Sequence, residues 1–121
     1  MASIRQAASW PTASWVGITA AVLIGLSSPA LAQDNVELVI SVKDHKFDPA
    51  ELQAPAGKPI VLRIKNLDPT PMEFESKSLK VEKVLSGNSE VVVNIRAQKA
   101  GRYEFFDEFH EKTTRGFLVV K

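Results

Sequence analysis

Apolar and polar residues alternate along much of the second half of this chain. Val36, Leu38, Ile40 and Val42 are spaced by Glu37 and Ser41, and Ile60, Leu62 and Ile64 by Val61, Arg63 and Lys65. Val91, Val93 and Ile95 repeat the pattern with Val92, Asn94 and Arg96 between them, and Tyr103 and Phe105 start another run that reaches Asp107. A period of two puts successive side chains on opposite sides of an extended chain, so each stretch predicts a strand. Met72 to Glu75 predicts a brief strand with Phe74 facing away from Glu73 and Glu75, and Phe117 to Lys121 closes the set. A short extended piece surrounds Leu52, while Leu79, Val81 and Val84 form an irregular apolar segment.

Between these runs lie turn formers. His45 to Pro49, Pro55 to Lys58, Ser86 to Asn88 and Ala100-Gly101 each reverse the chain, and the prolines of Asn66 to Pro71 exclude that loop from a central sheet position. No stretch of the second half has the spacing of an amphipathic helix. The expectation is an all-β, antiparallel Greek-key sandwich of seven to eight strands.

The first third reads differently. Arg5 is the single charge before Asp34, an apolar run lies between Trp15 and Leu26, and Ser27 to Ala32 ends in a small-x-small pattern. This order predicts a secretory signal peptide over residues 1–32, cleaved after Ala32, and an exported domain over 33–121. Loss of Arg5 takes Lys plus Arg from 15 to 14 against 14 acidic residues, so the domain is near neutral. No basic stripe is interleaved with aromatics, and nucleic acid is not an expected partner. There is no Cys, which removes disulfides and thiolate chemistry.

The candidate chemistry lies in Gly101 to Gly116, where an aromatic strand runs into a loop carrying Asp107, Glu108, His110 and Glu111. Carboxylate and imidazole are ligands for Zn, Cu or Fe. Asp107, at the inner end of that strand, needs a partner if buried, either an ion or a salt bridge to Arg102 or Arg115. His110 stands three residues on, and Glu73 and Glu75 share one face of their strand. Met72 is either a thioether ligand or core. His45 reads as an exposed turn residue, and Lys77 to Lys83 as a solvated face.

Phe47-Asp-Pro-Ala-Glu-Leu, Pro55-Ala-Gly-Lys, Asn66 before a Pro-rich loop, and Gly101-x-Tyr-x-Phe-x-Asp-x-x-His, taken in order, resemble the cupredoxins over Val36 to Val120. Blue-copper members read Tyr-x-Phe-x-Cys-x-x-His in the closing loop, with another His after the Asn loop and an axial Met. Here Asp107 takes the Cys position, Met72 the first His position, and Thr114 or Arg115 that of the axial Met. A blue-copper centre is therefore not expected. Glu73-Phe74-Glu75 resembles the EfeO-type subgroup associated with bacterial iron uptake. That resemblance implies a protein of the periplasm with a Cu or Fe ion held by Glu73, Asp107 and His110, and with Met72, Glu75 and Glu108 as further candidates. It also implies service to an inner-membrane iron permease or a periplasmic iron-binding protein, and leaves ferroxidase-type oxidation of Fe(II) open. The competing expectation is a metal-free sandwich that docks a partner through its acidic loop.

Overall fold

The alternating stretches form strands in the computed structural model, which describes residues 34–121 and, upstream, the isolated positions Thr12, Gly17 and Gly25. Apart from those positions, the predicted signal peptide and its cleavage point lie outside the described residues. In chain order the strands are β1 (Val36–Lys43), β2 (Lys46–Asp48), β3 (Glu51–Ala54), β4 (Ile60–Asn66), β5 (Met72–Ser76), β6 (Val81–Leu85), β7 (Ser89–Ile95), β8 (Gly101–Asp107) and β9 (Arg115–Val120). A single 3-10 turn, Glu108–His110, follows β8.

Two sheets stack face to face. One has the order β2-β1-β4-β7 and the other β3-β9-β8-β5-β6. The all-β sandwich is as expected, with nine described strands rather than seven or eight. The fully antiparallel arrangement is corrected: β1 runs parallel to β4, and β3 parallel to β9. The cause is the crossing of the chain between sheets. β3 lies in the second sheet, so β4 re-enters the first beside β1 in the same direction.

The apolar halves of the alternating runs face inward. Ile40, Val42, Ile60, Leu62, Ile64, Phe74, Phe105 and Leu118 are all at most 2% exposed. Phe105 meets Phe47 edge-on at 5.0 Å and stacks on Phe74 at 5.1 Å, giving a rigid aromatic layer. Phe105 pairs across the sheet with Gly116, where a Cβ would lie 2.5 Å from the Phe105 ring and 2.7 Å from the Ala50 carbonyl. Among the described residues, every strand and every core side chain falls within Val36–Val120, so the described core is built from residues 36–120 alone.

Candidate metal centre

Asn66 organises the loop after β4. Its side-chain amide donates to the Thr70 and Ser86 carbonyls at 2.8 and 3.1 Å, and its Oδ1 accepts from the Asp68 amide at 3.1 Å. Asp68 then reaches across to the turn after β1, accepting from the Asp44 amide at 2.7 Å and the His45 amide at 3.0 Å. Burial acts to raise the Asp68 pKa, but those two amides together with the nearby rings of His45 and His110 hold the carboxyl below its ordinary value. The same bonds hold Asp44 and His45 at positive φ, 52° and 57°.

That conformation brings the His45 ring against His110, with centroids 3.9 Å apart and planes 28° from parallel. Thr114 Oγ1 donates to the His45 carbonyl, and the Asp107 amide donates to the Thr114 carbonyl at 3.0 Å. Asp107 is wholly buried and fully engaged. Its Oδ1 accepts from the Glu73 and Phe109 amides at 2.9 and 3.0 Å, and its Oδ2 lies 2.9 Å from His110 Nδ1. Opposite a carboxylate, His110 carries its proton on Nδ1, which leaves Nε2 as the acceptor of the neutral ring.

A second group forms on the other side of the same sheet. Phe74 pairs with Asp107 and shares its inner face, so Glu73 and Glu75 leave β5 outward. On the adjoining strand Glu82 stands directly opposite Glu75 and Val84 opposite Glu73. Glu108 comes from the 3-10 turn that Asp107 caps. Glu73, Glu82 and Glu108 can each present a carboxylate oxygen within 4.8 Å of the other two. Glu73 is only 9% exposed, and among the described residues none of these carboxylates is in an ion pair.

Like charges facing one another across a sheet are destabilising, and protonation relieves them. The Glu73 carboxyl is pushed up to about 7, first by sharing a proton with Glu82, then by burial and the charge of Glu108. Glu75 is raised by a hydrogen bond to Glu108, by burial and by the charges of Glu108 and Glu82, with Lys77 pulling the other way.

The predicted donors therefore fall into two groups. Asp107 and His110 meet on the inner side at the loop end; Glu73, Glu75 and Glu108 meet on the outer face. Met72 is 1% exposed and part of the core. The salt-bridge alternative for Asp107 is not what forms, since Arg102 pairs with Glu51 and Arg115 with Glu104 and Glu111. Sequence reading missed Glu82, inside a segment that looks merely solvated. His45 does lie in a turn with its side chain 43% exposed, but one face of its ring packs on His110, which the sequence did not show. A blue-copper set does not fit here. The Cys position holds a carboxylate whose oxygens are already taken by two amides and an imidazole, and the first His position holds a core methionine.

Comparison with known proteins agrees with this architecture. The family model described as a cupredoxin-like domain matches residues 17–120. An uncharacterised protein of Rickettsia prowazekii (strain Madrid E) is 38% identical over 95 residues, 78% of this chain and 76% of that protein. Auracyanin A, a blue copper protein of Chloroflexus aurantiacus, superposes with a TM-score of 0.63 at 20% identity, over 73% of this chain and all of that one. The metal-binding domain of the Cu(I)-exporting P-type ATPase CopA of Streptococcus pneumoniae D39 gives 0.62 at 19% identity, over 74% and 98%. The chain belongs to the cupredoxin-like domain family, with a carboxylate in place of the thiolate around which its blue-copper members build their site.

Proposed function

We propose that this protein is an exported metal-binding domain that holds one copper or iron ion on the outer face of its five-stranded sheet, through Glu73, Glu82 and Glu108 with Glu75 beside them. The observation that carries this reading is the convergence of three carboxylates within 4.8 Å, without a cationic side chain paired to any of them among the described residues. The Glu73 carboxyl is raised to about 7 by its hydrogen bond with Glu82, by burial and by the repelling charges of Glu108 and Glu82. A bound cation removes that repulsion, so proton and ion compete for the same oxygens. Oxygen donors are hard and favour Fe(III) or Cu(II) over Cu(I). Either ion would supply a one-electron redox couple when bound.

Delivery of iron to an inner-membrane permease or a periplasmic iron-binding protein is the service this site suits best. The carboxylate donor set and the Glu73-Phe74-Glu75 resemblance to the iron-uptake-associated subgroup support it. The charged, apolar and small-residue order of residues 1–32 supports export. A second reading, a metal-free subunit that docks a partner through its acidic loop, draws on Phe109, which is 51% exposed between Glu108 and His110.

Titration of residues 33–121 with Cu(II) and Fe(III) tests the proposal. Binding tighter than about 10 μM is expected, weakened at least about tenfold by Glu73→Gln or Glu82→Gln. An affinity that these substitutions leave unchanged, or no binding of either ion, overturns it and favours the docking reading.

A further inference from the structure

The charges of this near-neutral domain are unevenly placed. At the end of the sandwich remote from Asp107, the turn between β5 and β6 and the segment after β7 enclose a polar cleft of about 550 Å³ lined by Ser78, Lys80, Asn94, Arg96 and Gln98. Lys80 and Arg96 are exposed and neither is in an ion pair among the described residues. Gln98 folds back, its Nε2 donating to the Arg96 carbonyl at 2.7 Å. Lys80 has φ +57°, a conformation that glycine adopts without strain and lysine does not. Lys58, Lys99 and Lys121, all exposed, lie on the turns and strand end of the same pole. The acidic side chains nearest it are Asp34 and, two residues past Lys80, Glu82; the charge of Lys77 acts on Glu75.

We propose that this cleft binds the phosphate of an anionic phospholipid, and that the surrounding lysines seat the basic pole on a membrane surface. Two cations without partners, flanked by the Ser78 hydroxyl and the Asn94 amide, match the charge and the acceptor oxygens of a phosphodiester. A spread of lysines around the cleft matches a sheet of negative headgroups better than a single small anion. The described chain enters the domain from Asp34 at this same pole. Of the carboxylates, Glu73 and Glu108 lie toward the opposite end of β5 and β8, whereas Glu82 follows Lys80 by two residues at the near end of β6.

The test is co-sedimentation of residues 33–121 with phosphatidylglycerol–phosphatidylcholine vesicles and with phosphatidylcholine vesicles alone. Binding to the first only, lost on raising the salt, is expected; Lys80→Gln with Arg96→Gln should reduce partitioning roughly 30-fold, the effect of two charges near an anionic surface. Lys80→Gly provides a variant that relieves the backbone and removes one charge, so it should fold at least as well while binding more weakly. Equal binding to both vesicle types, or unchanged binding by the variants, overturns the proposal. Saturable binding of inorganic phosphate without vesicle binding overturns the membrane assignment as well, since the ligand would then be the free anion.

Discussion

Asp107 and Glu73 sit on neighbouring strands, joined by a hydrogen bond, yet their carboxylates live in opposite circumstances. Asp107 is sealed inside, and each of its oxygens has a donor: two backbone amides and an imidazole. Glu73 faces outward among acids and is left with a proton at a pH where exposed glutamates have lost theirs. The difference lies in the donors that each strand face offers. On the inner side the amides of β5 and of the 3-10 turn converge on one carboxylate and satisfy it. On the outer side acids meet acids across β5 and β6, and protonation relieves their repulsion. Burial of a carboxylate therefore goes with satisfied hydrogen bonds in one case and, at the site we propose, with a repulsion that a cation would relieve in the other.

The sharpest way to break this contrast is to remove Asp107. Asp107→Ala leaves the buried Glu73 amide, the part-buried Phe109 amide and His110 without their acceptor, and unfolding free energy should fall by about 3–4 kcal/mol, read from the denaturant midpoint. Asp107→Asn, which keeps one acceptor oxygen, should lose about half of that. Next comes the ion. At a hundredfold excess over its dissociation constant it should stabilise the wild type by about 2.7 kcal/mol, raising the melting temperature of a domain this size by roughly 10–20 °C. Glu73→Gln should abolish that rise; if the rise persists while His110→Ala removes it, the inner group is the site.

A smaller effect is the pH profile without metal. Glu73 has a folded pKa of about 7, raised from 4.5, so the folded state binds the extra proton between those values. Its contribution to stability is complete below about 4.5 and is lost as pH rises through about 7. Thermal melts across this window should show the decline in the wild type and its flattening in Glu73→Gln. The smallest effect is His45→Ala, which removes the stack on His110 and should lower stability by about 0.5–1.5 kcal/mol; His45→Phe should restore most of it.

Much of the fold was legible because alternation is a local property. Ile60 to Ile64 and Val91 to Ile95 read as strands without any knowledge of their neighbours. β6 was obscured because Glu82, Lys83 and Val84 are all exposed, as befits an edge strand, and the alternation vanishes. The parallel pairings were obscured because they depend on which sheet the chain enters next. The same holds for the site. Glu73 and Glu75 announced themselves by spacing, but Glu82 joins them only through the β5–β6 register. His45 meets His110 only because Asp68, from a third segment, holds its backbone at positive φ. Asp107 was singled out as a metal ligand because a carboxylate there would need a partner if buried; it is buried, and that amides and a histidine serve it follows from pairing no local pattern contains.

The parallel pairing of β3 with β9 bears on how the molecule comes into being. β9 is inserted between β3 and β8, so it supplies partners for two strands at once. While the ribosome is still short of Arg115, β3 has no place in its sheet and β8 has one bare edge. The second sheet can therefore be completed only once β9 has emerged, and until then β3 is without a partner and β8 keeps a bare edge.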